Sequence, residues 1–174
     1  MASLLSSVSR RNLLLGLVTS MVVTLKPSMA SAASPAGEPA WDLSESEWRQ
    51  RLSPEAFDVL RREGTERPFT SALLEEKRDG VFVCKGCELP LFSSATKYES
   101  GTGWPSFWEP LPDSIGTRLD FKLLLPRTEY HCRRCGGHQG HRFKDGPQPT
   151  GKRYCNNGVA LAFVPADAAE TPAS

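Results

Sequence analysis

Five cysteines hold most of the chemistry available to this chain. Four form two C-x-x-C pairs, Cys84/Cys87 and Cys132/Cys135, and the fifth, Cys155, stands alone in "KRYCNNG". Each pair ends a strand-like run, "GVFVC" and "TEYHC". A knuckle at a strand end supplies two thiolates at once, so two such knuckles make a tetrahedral four-thiolate zinc site. The 44 residues between the pairs exceed zinc-ribbon spacing and predict a clamp joining distant segments. Structural disulfides and a redox-active C-x-x-C are the competing readings. One metal between neighbouring pairs is favoured, since a disulfide inside each short pair would be strained.

Around Cys155, Arg153 and Asn157 fall at period two, which on a strand turns all three side chains to one face. A guanidinium beside a thiol favours the thiolate and lowers its pKa, as a nucleophile requires. Upstream, His138, His141 and Asp145 lie within eight positions in the Gly-rich "GGHQGHRFKDG", which reads as a flexible loop carrying proton donors and acceptors. Free cysteine is also a common buried apolar filler, and spacing alone leaves that reading open.

Those residues need elements to hold them. "SESEWRQRLSPEAFDVLRREG" carries two short helices: Ser44 and Glu47 have capping-box spacing, Ser53 precedes a proline at the first helical position, and Gly64 is placed to end the second. From Gly80 onward come short apolar or alternating runs, "GVFVC", "PLFS", "RLDFKLLL", "TEYHC" and "VALAFVP", divided by Gly, Pro, Asp and Asn. The fold class is therefore mainly β, antiparallel, with short N-terminal helices. A chain of 174 residues with 39% hydrophobic content buries one core.

Charge narrows the partners. The formal net charge is +1, but the first 33 residues hold Arg10, Arg11 and Lys26 and no acid, leaving 18 basic against 20 acidic residues in the body. That balance excludes the clustered positive excess of a duplex nucleic-acid binder. "SRRNLLLGLVTSMVVTL" places twin arginines before an apolar run, Leu13 to Leu25, followed by small-residue sites at "SMA" and "ASAA". Residues 1–33 thus read as a cleavable export signal of twin-arginine type, with a periplasmic destination and no stable membrane insertion after cleavage. The run of 13 residues is too short to span a bilayer. A plastid address is the alternative, because "MASLLSSVSRR" is Ser-rich and free of acids. Residues 34–40, "SPAGEPA", read as a flexible linker, 41–165 as the folded domain and 166–174 as a disordered tail.

From about Trp48 to Val164 the chain resembles the type B methionine sulfoxide reductases, which act on the R epimer of methionine sulfoxide. The resemblance rests on "GTERPFT", "KRDGVFVCKGC", "PLFSSATKYESGTGWPSFWEP" and "CGGHQGHRFKDGPQPTGKRYCNNG", in the family's order and spacing. It implies two antiparallel β-sheets with short flanking helices and one structural Zn2+ held by Cys84, Cys87, Cys132 and Cys135. It further implies Cys155 as the nucleophile, with His138, His141, Asp145, Arg153 and Asn157 as the polar site around it. Trp104, in "GWPSF", becomes the aromatic wall that receives the substrate methyl group. Attack on the sulfoxide sulfur would release methionine and leave a Cys155 sulfenic acid.

One position departs from a common version of the family. Thr102 stands where many relatives have a cysteine that resolves the sulfenic acid, and no sixth cysteine exists. The partners implied are oxidised proteins or peptides as substrate and an outside thiol reductant, thioredoxin-like, glutaredoxin or other, with the chain acting as a monomer. Two rival functions stay in view. A thiol-disulfide oxidoreductase would place a C-x-x-C at a helix start in a β-α-β pattern, which neither pair has. A zinc-stabilised binding module would need the four paired cysteines and not Cys155.

Overall fold

Both helices begin where the capping residues sit. In the computed structural model, which describes residues 41–167, α1 spans Glu45–Arg51 and α2 spans Pro54–Arg62. Ser44 accepts from the Glu47 N–H at 3.4 Å while the Glu47 carboxylate accepts from the Ser44 N–H at 2.8 Å, a reciprocal capping box. Ser53 caps α2 by accepting from the Ala56 N–H at 3.2 Å, with Pro54 in the first turn. The end of α2 differs from the expectation: Glu63, not Gly64, takes the left-handed conformation, at φ 57°. Gly64 follows it, and a Cβ there would meet the Asp58 carboxylate at 2.1 Å, which that side chain would have to vacate. The expected signal (1–33), the linker (34–40) and residues 168–174 of the expected tail lie outside the described residues. Ala166 donates its N–H to the Asp79 carbonyl at 3.0 Å, so the first residue of that tail is tied to the body.

Among the described residues nine strands follow, all paired antiparallel: β1 Gly80–Cys84, β2 Pro90–Ser93, β3 Lys97–Tyr98, β4 Ser106–Phe107, β5 Ile115–Asp120, β6 Arg127–Cys132, β7 His138–Phe143, β8 Arg153–Asn156 and β9 Leu161–Pro165. They form two sheets, of order β2-β1-β9 and β3-β4-β8-β7-β6-β5. Aromatic rings fill the space between them. Phe82 of β1 meets Phe107 of β4 edge-on at 5.0 Å, and Phe92 of β2 stacks on the same ring at 4.3 Å. Tyr154 of β8 packs against Tyr130 of β6 at 5.4 Å. These rings are buried, and centroid spacings of this size are the favoured aromatic range.

Two segments depart from the sequence pattern. "HQGHRF", expected as part of a flexible loop, is the strand β7 in the middle of the larger sheet. Its glycine permits this: a Cβ on Gly140 would sit 1.9 Å from the Cys155 carbonyl oxygen, so only glycine lets β7 and β8 approach to ladder distance. In "RLDFKLLL" the strand stops at Asp120, and Phe121 and Leu123–Leu125 remain exposed in the β5–β6 connection.

Candidate active site and metal clamp

The core dictates where Cys155 points. Side chains alternate across a strand, so Tyr154, packed into the core, puts Cys155 on the opposite face of the larger sheet. Cross-strand register then builds a row on that face: Ser106 pairs with Cys155, Cys155 with His141, His141 with Glu129, and Glu129 with Arg118. His138 joins the same side through a bulge. Between Tyr130 and His131 the register shifts, so that one step on β6 matches two on β7, from Gly140 to His138. Without that extra residue, positions 138 and 141 would face opposite ways. With it, their rings meet edge-on at 5.4 Å.

A cavity of about 150 Å3 opens at the thiol, and its lining includes Cys155, His141, Asn157, Trp104, Arg127 and Phe143. Four of the residues named from the sequence thus meet in one pocket. Trp104 is anchored by its indole N–H, which donates to the Glu66 carbonyl at 3.1 Å. Asn157 is fixed from both sides: its amide donates to the Gln139 carbonyl at 3.0 Å and its Oδ1 accepts from the Glu66 N–H at 3.1 Å. The Glu66 carboxylate accepts from the Gly158 and Val159 N–H groups. The "GTERPFT" segment therefore braces both pocket walls.

The remaining three residues do not line the cavity. Arg153 is buried, gripped in a two-pronged pair by Asp145 at 3.0 and 2.9 Å, and its guanidinium lies 4.4 Å over the Phe143 ring. Asp145 is exposed, and its carboxylate is paired with Arg153. His138 is buried, its Nδ1 2.7 Å from Glu129.

Sequence reasoning overlooked three groups here. Buried Glu129 accepts from His138, from His131 at 3.1 Å and from Arg118 at 3.1 Å. Burial alone would push its carboxyl up, but these donors and the nearby positive charge hold it below the usual range. Asp120 accepts from His141 Nε2 at 2.7 Å and from Arg127 at 2.6 Å. The Lys122 backbone N–H, His141 and Arg127 hold the Asp120 carboxyl far below its usual value. The available signal for Glu129 was a lone acid beside Tyr130 in a strand run; for Asp120 and Arg127, which meet only across the hairpin, there was none.

Electrostatics at Cys155 runs against the expectation. Burial pushes the thiol pKa up, and the Arg153 charge, with hydrogen bonds from Thr102 and Arg153, offsets only part of that. The arginine acts in the expected direction but does not dominate. His141 is also held low, because burial outweighs the pull of Asp120. An ionised Asp120 can only accept, so the proton of neutral His141 sits on Nε2 and leaves Nδ1 as an acceptor.

Across the fold, β1 and β6 each end in a C-x-x-C knuckle, and the four sulfurs lie within 4.8 Å of one another, all buried. Cys84 and Cys135 are 3.7 Å apart and Cys87 and Cys132 3.4 Å apart. A disulfide would be ~2.05 Å. Sulfurs on a tetrahedron with 2.3 Å bonds stand about 3.8 Å apart, so the set fits one thiophilic cation. Gln139 Nε2 donates to Cys84 Sγ at 3.3 Å, a contact that supports a thiolate.

Residues 52–165 match the SelR domain model. Among curated relatives, the chain is 50% identical over 120 residues to "Peptide methionine sulfoxide reductase B1, chloroplastic" of Arabidopsis thaliana, covering 68% of this chain and 59% of that protein. It is 48% identical over 129 residues to "Peptide methionine sulfoxide reductase MsrB" of Alteromonas mediterranea, covering 74% of this chain and 91% of the relative. With the MsrB of Methanosarcina barkeri it shares 51% identity over 125 residues, 71% of this chain and 88% of the relative.

Proposed function

Because the chain belongs to the SelR-domain family of peptide methionine sulfoxide reductases, MsrB, we propose that it reduces the R epimer of methionine sulfoxide in peptides and proteins, with Cys155 as nucleophile. The observation that carries this reading is a thiol opening into a single-side-chain cavity beside its cross-strand neighbour His141 and the anchored Trp104. His141 Nδ1 takes the Cys155 proton, the thiolate attacks the sulfoxide sulfur, and the imidazolium passes that proton to the sulfoxide oxygen. Trp104 and Phe143 offer the methyl group an apolar wall; Asn157 and Arg127 offer the oxygen donors. The substrate sulfur gains two electrons, Cys155 loses two, and the oxygen ends on Cys155 as a sulfenic acid. Two equivalents of an outside thiol then return the thiol, giving a disulfide of the donor and water.

No thiol of the chain's own is free for that last step, since the other four of its five cysteines are gathered in the clamp. Zn2+ is the ion proposed for the clamp, in a structural role: four buried thiolates would repel without a cation, and zinc takes this donor set. An export signal over residues 1–33 and a plastid address are the two proposals for localisation, the latter supported by the chloroplastic name of one relative. Among the described residues, no helix is long and apolar enough to cross a membrane.

The test uses N-acetyl-methionine sulfoxide, separated into its epimers, with dithiothreitol as reductant. The R epimer alone should be consumed, and Cys155→Ser should be inactive while keeping its metal and its fold. Equal loss of the S epimer, or turnover by Cys155→Ser, would sink the assignment.

A further inference from the structure

The end of β5 and its connection to β6 invert the usual distribution of residues. Their polar side chains turn back to the body: Arg118 and Lys122 both pair with Glu63 at the end of α2, and Asp120 binds Arg127 and His141. Their apolar side chains do not. Phe121 is 69% exposed, Leu123 58%, Leu125 78%, and Leu124 is fully exposed. Four large apolar residues in a five-residue stretch, all exposed, make an apolar patch of the kind found at interaction sites.

The position of this stretch selects the partner. Phe121 follows Asp120, which holds the pocket residue His141, and Leu125 lies two residues before Arg127, which lines the pocket. At 3.8 Å per residue, the Cα atom of Phe121 lies ~4 Å from that of Asp120 and the Cα atom of Leu125 within ~8 Å of that of Arg127, so the apolar tip is joined at both ends to residues that hold or line the pocket. The cavity, about 150 Å3, falls well below the roughly 300–1,000 Å3 of sites that enclose a whole ligand. It can take one side chain. The backbone and neighbours of a methionine sulfoxide in a polypeptide must lie outside it, and the hairpin tip is the exposed apolar segment that leads into the pocket residue Arg127.

We propose that Phe121 and Leu123–Leu125 form a docking surface for apolar residues flanking the methionine sulfoxide of an unfolded polypeptide, a reading that rests on the reductase assignment above. Methionine is itself apolar and is usually buried among apolar neighbours, so its oxidised form becomes reachable when such neighbours are exposed too. The ion pairs of Arg118 and Lys122 to Glu63 tie the hairpin to the end of α2 while its apolar side chains stay exposed.

The test compares three R-sulfoxide substrates: the N-acetyl amino acid, a heptapeptide with Leu and Val flanks, and one with Gly and Ser flanks. In the full chain, the triple variant Leu123→Ser/Leu124→Ser/Leu125→Ser should keep its kcat/KM on the first and third. On the second it should lose about tenfold, carried by KM, the order expected for losing apolar contact area outside the cavity. A binding arm does not depend on turnover: placed in a Cys155→Ser background, the triple variant should bind the fluorescent Leu/Val sulfoxide peptide about tenfold more weakly. Unchanged peptide KM and binding would overturn the proposal, as would a loss seen only when thioredoxin replaces dithiothreitol, which assigns the surface to the reductant. Failure of the unaltered chain on the N-acetyl substrate would instead overturn the reductase reading, leaving the binding arm to decide this one.

Discussion

Cys155 sits where its own ionisation is disfavoured. Burial holds the thiol protonated beyond its usual range, so the reactive form must be made by a base or by higher pH. With a free-enzyme pKa that is raised, kcat/KM for the R-sulfoxide should climb with pH on the alkaline side of neutrality. Arg153 draws that pKa down, and Arg153→Met should shift the limb to still higher pH; a pH profile left in place would show that the guanidinium does not act on the thiol. Thr102 gives a second test at this scale. Its hydroxyl helps to draw the Cys155 pKa down, which places it beside the thiol, so Thr102→Cys should yield, after one equivalent of sulfoxide, an intramolecular disulfide detectable by mass spectrometry. The unaltered chain should yield a sulfenic acid trapped by dimedone and no such disulfide. A disulfide from Cys155 to a clamp cysteine, with metal released, would contradict the one-cysteine cycle.

Among the elements, β7 carries the most. It supplies His138 and His141, and its pairing to β8 depends on the bare Cα of Gly140. Gly140→Ala, forcing a methyl against the Cys155 carbonyl, should destabilise the domain by at least about 2 kcal/mol in urea unfolding and lower kcat as well. Retained stability would mean that β7 and β8 can separate cheaply. The same strand marks how far the sequence could be read. Caps, knuckles and the runs of β1, β2 and β6 follow local rules and are legible: Ser44 with Glu47, Ser53 with Pro54, and cysteines at strand ends. β7 is not, because its glycine and polar residues look like a loop until a partner strand is known. The bulge that aligns His138 with His141, and the hairpin contact from Asp120 to His141, are products of register, which single-chain spacing does not encode.

For the whole molecule, the clamp and the pocket share one residue. The Gln139 side chain reaches Cys84 Sγ, while its carbonyl holds the backbone and side-chain N–H groups of Asn157 at 2.9 and 3.0 Å. Stripping the proposed zinc with a strong chelator, or making Cys84→Ser, should therefore lower the melting temperature by ten degrees or more, on the order expected for a metal that contributes directly to folding. Turnover at a temperature where the fold persists should fall as well. An unchanged melting temperature in metal-free protein would refute the structural role. The alternation of Tyr154 and Cys155 reaches further than either site. A chain in which β8 has slipped by one residue would bury its sulfur among the rings and leave a tyrosine outside. A copy slipped in this way has no sulfur at the pocket, so the one register that completes the hydrophobic core is also the one that arms the enzyme.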